Sequence, residues 1–215
     1  MEKKVDYSLY VITDARLARG RSNLDVVAAA LRGGATMIQY RAKDAVTRKM
    51  IEEGLALHDL CFRHGVPLII DDRVDVALAV GAEGVHVGQE DMPASLARRL
   101  IGQDKVLGVS AANPDEAVAA AADGADYVGV GAVFATGSKA DAGEAIGIQG
   151  LIRVTRTSPL PVVGIAGINV SNAASVIRAG AVGVAVISAV VGADDVEAAA
   201  RQLRDIVDKA RRGLS

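Results

Sequence analysis

Tryptophan is absent, and aromatic residues make up only 3% of the 215 residues. A core cannot be filled with large rings and must be assembled from Val, Ile, Leu and Ala, the residues of buried parallel strands and the helices that cover them. The single cysteine, Cys61, excludes an intrachain disulfide; it reads as a small buried hydrophobe in a reducing, cytoplasmic setting. Neither sign of charge prevails: 24 Lys and Arg stand against 26 Asp and Glu, for a net charge of −2. That balance excludes the broad basic footprint of a nucleic-acid binder. No uncharged apolar run reaches the ~18 residues of a membrane span, and the opening MEKKVDYSLYVITDAR lacks the apolar stretch of a signal peptide. No proline- or serine-rich linker interrupts the chain, which is read as one domain over residues 1–215.

What is present is apolar and periodic. Hydrophobic residues make up 51% of the chain, and short apolar runs alternate with helix-length amphipathic segments. The runs are Leu9–Thr13, Met37–Arg41, Pro67–Asp71, Gly84–Val87, Val106–Ser110, Tyr127–Gly131, Val162–Ile165 and Gly183–Ile187. The helical segments are Leu24–Arg32, Arg48–His64, Val74–Val80, Ala94–Ile101, Pro114–Ala122, Ile148–Thr155, Asn172–Ala179 and Val196–Arg211. Strict alternation predicts a parallel sheet. Gly-Ala recurs at positions 34, 81, 124 and 180, each time after a helix and before a strand, where a left-handed glycine ends a helix. The pairs mark every second unit, as four similar double units would. The GxGxxG fingerprint of an open dinucleotide fold is missing: VITDARLARGR follows the first strand. The fold class is therefore α/β, a single (β/α)8 TIM barrel.

A barrel carries its site at the C-terminal ends of its strands, so polar residues there point to chemistry. Strand two ends in Gln39-Tyr40-Arg41-Ala42-Lys43, and a period of two puts Gln39, Arg41 and Lys43 on one side. An amide, a guanidinium and an ammonium together suit an anion. Asp72 after strand three and Asp91 after strand four are hard oxygen ligands at the same mouth. They suit magnesium bound to a diphosphate, with helix capping as the competing reading for both. Ser110 ends strand five. Thr136, Ser138 and Lys139 lie on the long segment 132–147, which suits a closing phosphate grip. The segments around Gly167 and around Ile187-Ser188 follow strands seven and eight, where backbone N–H groups commonly hold phosphate; a Cβ at Gly167 would crowd the anion. His58 and His64 read as surface or packing residues on the second helix, and His86, within strand four, as structural. Asp75 and Asp126 read as surface or loop carboxylates. Two anion sites in one mouth suggest a transferase acting on two phosphorylated substrates.

GATMIQYRAKD, GVPLIIDDRVDVALAVGAEGVHVGQEDMP, LGVSA, GADYVGVGAVFATGSK, PVVGIAGI and GVAVIS together resemble the thiamine phosphate synthase family, also called thiamine-phosphate pyrophosphorylase, over nearly the whole chain. The resemblance implies condensation of hydroxymethylpyrimidine diphosphate with hydroxyethylthiazole phosphate, releasing diphosphate, with Mg2+ as cofactor. It places Gln39, Arg41, Lys43 and Lys139 on the pyrimidine diphosphate and Asp72 and Asp91 on magnesium. Ser110 would contact the diphosphate, and Thr136 and Ser138 would bind phosphate groups. Gly167, Ile187 and Ser188 would offer backbone donors to the thiazole phosphate. Asp71 stands where the family often has Asn as a diphosphate contact, and here it is expected to help the metal, directly or through water. Ser138 replaces a common Thr, GAVF a usual GPVF start, and GIAGI a usual AIGGI. Partners are small-molecule substrates, with no nucleic acid or membrane, and a homo-oligomer is compatible with the sequence. The alternative is a thiazole tautomerase-like isomerase of the same barrel family, with His86 as proton shuttle and no magnesium. A phosphate-sensing barrel without catalysis is the third reading.

Overall fold

The computed structural model describes residues 5–137 and 144–213. Its elements run β1 (Leu9–Ile12), α1 (Asn23–Arg32), β2 (Met37–Tyr40), α2 (Thr47–Arg63), β3 (Leu68–Asp71), α3 (Val74–Val80), β4 (Gly84–Val87), α4 (Ala94–Ile101) and β5 (Val106–Ala111). They continue with α5 (Pro114–Ala122), β6 (Tyr127–Val130), α6 (Gly147–Thr157), β7 (Val162–Ile165), α7 (Ala173–Arg178), β8 (Gly183–Val186), α8 (Ser188–Val191) and α9 (Val196–Arg211). Each strand pairs in parallel with the next, and β8 closes on β1 to complete the barrel. All the expected strands and helices are found, with ends displaced by a residue or two. The short helix α8 has no counterpart among the expected segments. Its four residues continue the apolar run of β8 and are too few to display a helical period.

The period of two along each strand divides the apolar residues between two clusters. Leu9, Val11, Ile38, Leu68, Val85 and Val128 face outward and pack with the helices in an aliphatic sheath. Tyr10, Met37, Ile69, Val106, Tyr127 and Val163 fill the barrel interior. The expectation of an aliphatic core therefore holds largely for the sheath, whereas three of the few rings, Tyr7, Tyr10 and Tyr127, gather inside the barrel. Glycine makes room for them: a Cβ on Gly108 would lie 2.3 Å from the Tyr127 ring and 2.4 Å from His86 Nδ1.

The four Gly-Ala pairs behave alike. Gly34, Gly81, Gly124 and Gly180 have φ of +95°, +73°, +87° and +98°. The amides of Ala35, Ala82, Ala125 and Ala181 donate back to the carbonyls of Ala30, Ala77, Ala120 and Val176. This closes the ends of α1, α3, α5 and α7 in the pattern that a left-handed residue permits. Each alanine is buried, so the repeat sets both where a helix stops and how the next strand enters the core.

Asp126, expected to be a surface or loop carboxylate, lies in the loop between α5 and β6 and also serves as a strut at the N-terminal face of the barrel. Its Oδ2 accepts from Arg98 Nη2 at 2.6 Å and from the Leu107 amide at 2.8 Å. Arg98, buried, also donates to the carbonyls of Gly124, Gly102 and Lys105. Asp75 is the surface carboxylate expected, paired with Arg73 at 2.6 Å.

Candidate functional site

At the C-terminal ends of β3 to β6 opens a cleft of about 1400 Å³, counting the space at its mouth. Its walls include Lys43, Asp71, Asp72, Gln89, Asp91 and Ser110. Asp72 turns the chain out of β3 with φ +59°. Its carboxylate is paired with Lys43 and in hydrogen-bonding contact with Asp91. Neither aspartate occupies a helix N-cap position, which falls to Arg73 before α3 and to Pro93 before α4. Asp91 Oδ2 accepts instead from the Gly88 amide at 2.7 Å, which fixes the turn after β4. Burial pushes the Asp72 carboxyl above the usual range, and Asp91 adds to this against the opposing pull of Lys43. The Lys43 ammonium pays a desolvation cost, but its hydrogen bond to Asp72 and the charges of Asp72, Asp71 and Asp91 outweigh it and hold the lysine above its ordinary value. Among the described residues no cluster of three or more His, Cys, Asp or Glu side chains is arranged to hold a metal ion; Asp72 and Asp91 stand as a pair.

The predicted cluster of Gln39, Arg41 and Lys43 is spread over three depths. Lys43 is exposed at the cleft. Arg41 is withdrawn, 7% exposed, with Nη1 donating to Asp14 Oδ2 at 2.8 Å and Nε 3.4 Å from Asp71 Oδ2. The carboxylates that flank it are themselves 2% and 5% exposed. Arg41 Nε makes no hydrogen bond, and its backbone amide is held by Thr13 Oγ1 at 3.0 Å. Asp14 also accepts from Arg16. Burial pushes the Asp14 carboxyl up, but its bonds to Arg16 and the charges of Arg16 and Arg41 prevail and hold it below the usual carboxylate range. Asp14 was missed in the sequence. The signal that identified Asp72, a carboxylate just past an apolar strand, was present in VITD.

Gln39 lies deeper, in a polar chain that crosses the barrel. Gln39 Nε2 donates to Tyr10 OH at 2.8 Å, and the Tyr10 and Tyr127 hydroxyls are 3.0 Å apart. Tyr127 OH lies 3.0 Å from His86 Nδ1, and His86 Nε2 lies 2.9 Å from Ser110 Oγ. These residues line an interior pocket of about 330 Å³ beneath the cleft, into which His86 and Ser110 lead because they border both spaces. His86 thus points inward and touches a site residue rather than serving packing alone. His58 bonds Glu83 at the opposite face of the barrel, and His64 ends α2.

A second pocket of about 320 Å³ lies over the ends of β7 and β8, lined by Thr136, Ala166, Gly167, Ile187 and Ser188. Gly167 has φ +65°, and a Cβ there would lie 2.7 Å from both Ala135 O and Phe134 Cβ. The close approach of the segment after β6 therefore by itself calls for glycine here, a constraint that the expectation of a crowded anion did not include. Asn172 Nδ2 donates to the Gly167 carbonyl at 3.0 Å and steadies this turn. Ser138 and Lys139 lie outside the described residues.

The sequence profile of the family described as thiamine monophosphate synthase matches residues 9–190. A thiamine-phosphate synthase of Chloroflexus aurantiacus is 63% identical over 203 residues, covering 94% of each chain. One of Moorella thermoacetica is 54% identical over 205 residues, covering 95% of this chain and 98% of its own. Among solved structures, the thiamine phosphate pyrophosphorylase of Pyrococcus furiosus superimposes with a TM-score of 0.90 at 45% identity, over 98% of this chain and 100% of that one. With a closed eight-stranded barrel, two pockets at one mouth and these likenesses along almost its full length, the chain belongs to the thiamine monophosphate synthase family.

Proposed function

We propose that the chain joins hydroxymethylpyrimidine diphosphate to hydroxyethylthiazole phosphate in a magnesium-dependent reaction that yields thiamine monophosphate and diphosphate. The observation that carries this reading is the pairing, at one barrel mouth, of a charged cleft with a separate pocket bounded by backbone and hydroxyls. The first suits a diphosphate and the second a monophosphate. Asp72 and Asp91 fit a divalent cation: two carboxylates are in contact, with Lys43 beside them, and magnesium needs few protein ligands when phosphate and water complete its shell. When bound, magnesium would supply positive charge to the departing diphosphate.

In this reading Lys43 leaves Asp72 for a diphosphate oxygen, and Lys139 grips the same group. Arg41 contributes its charge from behind Asp71, and Ser110 offers a hydroxyl. Gln39 faces the pyrimidine from the interior pocket. Thr136, Ser138 and the backbone around Gly167, Ile187 and Ser188 hold the thiazole phosphate. The bond from the pyrimidine methylene carbon to the diphosphate oxygen breaks and its electron pair leaves with diphosphate. The lone pair of the thiazole nitrogen then forms the new carbon–nitrogen bond, so no general base is required. The work of the site is to stabilise charge on the leaving group.

The test is product formation from the two synthetic substrates with and without magnesium. Turnover should need the metal, and Asp72→Ala and Asp91→Ala should each lower it by about two orders of magnitude or more, the scale of a lost transition-state charge contact, with the fold intact by circular dichroism. Metal-independent turnover, isomerisation of a thiazole phosphate alone, or near-full activity and magnesium affinity in either variant would overturn this assignment.

A further inference from the structure

We propose that Tyr127 is a positioning residue: through His86 it fixes the Ser110 hydroxyl as a hydrogen-bond donor toward the anion in the cleft. The proposal rests on the reading of that cleft as a diphosphate site. Its basis is the unbroken polar chain across the barrel, Gln39 to Tyr10 to Tyr127 to His86 to Ser110, and the polarity that an anion requires of Ser110. Burial pushes the Tyr10 and Tyr127 phenols well above their ordinary values, so each hydroxyl keeps its single proton and donates once. Tyr10 accepts from Gln39 Nε2 at 2.8 Å; in the proposed order its own proton goes to Tyr127, 3.0 Å away. The Tyr127 proton then goes to His86 Nδ1 at 3.0 Å. An imidazole that accepts at Nδ1 carries its proton at Nε2, which here is 2.9 Å from Ser110 Oγ. Ser110 therefore accepts from His86, and its own proton is free for the cleft, which the serine lines.

The opposite direction would have His86 Nε2 accept the serine proton. That would turn the oxygen lone pairs of Ser110 toward an anionic ligand, the wrong polarity for holding diphosphate. Packing supports a fixed ring. A Cβ on Gly108 would fall 2.4 Å from His86 Nδ1, and one on Gly129 would fall 3.1 Å from His86 Cε1. The imidazole thus occupies the space that side chains at Gly108 and Gly129 would fill. The chain joins β1, β2, β4, β5 and β6, so the hydroxyl is oriented by the barrel itself rather than by a loop.

The tautomer is read directly in the full-length protein labelled with nitrogen-15. Long-range proton–nitrogen correlations of the imidazoles are recorded, with His86 assigned by the signals lost in His86→Gln. The expected result is protonation at Nε2 in the native protein. Tyr127→Phe should release that preference and weaken binding of inorganic diphosphate with magnesium roughly tenfold, the scale of one hydrogen bond to a charged group. It should raise the KM for the pyrimidine diphosphate and lower kcat while leaving the KM for the thiazole phosphate unchanged. Tyr10→Phe, which breaks the chain one link earlier, should act in the same direction and serves if Tyr127→Phe does not fold. A native His86 protonated at Nδ1 or at both nitrogens, or a folded variant matching the native protein in both tautomer and diphosphate affinity, would overturn the proposal. Failure of the native protein to bind diphosphate or form product would instead overturn the synthase reading, and the tautomer measurement keeps the two failures apart.

Discussion

Replacement of Asp14 by alanine should be costly in stability, because it leaves a buried guanidinium short of its closest partner. Arg41 is 7% exposed and bonds Asp14 at 2.8 Å, whereas its other carboxylate, Asp71, approaches only to 3.4 Å at a nitrogen that makes no hydrogen bond. Breaking a buried pair from one side costs about 3–5 kcal/mol. For a chain of this size each kcal/mol lowers the melting temperature by about 2–4 °C. Asp14→Ala should therefore melt roughly 6–20 °C below the native protein in thermal denaturation followed by circular dichroism. Arg16→Ala is the control: Arg16 bonds the same carboxylate at 3.0 Å but is 65% exposed, and solvent screens an exposed pair, so its loss should shift the melting temperature far less. The pH dependence has a definite sign. The folded Asp14 carboxyl titrates below its unfolded value of 3.8, so its stabilisation is complete above that value and is lost as pH falls through the lower folded one. The gap between native and variant should be constant near neutrality and narrow in acid. If Asp14→Ala melts within about 2 °C of the native protein, less than 1 kcal/mol at this size, or if the two variants are equivalent, the ion triad is not holding Arg41.

Two further outcomes follow from the site geometry. Gly167→Ala places a Cβ at 2.7 Å from Ala135 O on a backbone with φ +65°, so it should lower the melting temperature and raise the KM for the thiazole phosphate together; a raised KM with unchanged stability would show that only the ligand required glycine. Asp71→Asn should lower magnesium affinity while retaining turnover and should cost less stability than Asp14→Ala, since Asp14 still pairs Arg41; magnesium titration at saturating substrates reads this, and an unchanged or tighter dependence would mean that Asp71 does not help the metal.

The barrel was legible in the sequence because its signals are local. Apolar runs of strand length, helices of amphipathic period, and a glycine that must turn left-handed before a buried alanine are all written within a few residues of each other. Strand ends are equally local, so Asp72, Asp91 and Ser110 were found as cleft residues without coordinates. The four-residue α8 fell below the length at which a period can be seen. Depth and partnership were not legible. A period of two says that Gln39, Arg41 and Lys43 share a side; it does not say that one bonds a tyrosine inside the barrel, one is clasped by two carboxylates and one reaches solvent. Those outcomes depend on which residues the other strands bring to the same level. Tyr10 and Tyr127, separated by 117 positions, meet only because the barrel closes, and Asp14 reaches Arg41 only because β1 and β2 lie side by side. Sequence pattern determined the elements and the end of the barrel where the chemistry gathers. The relative register of closed strands, a property of the whole sheet, decided which polar groups touch.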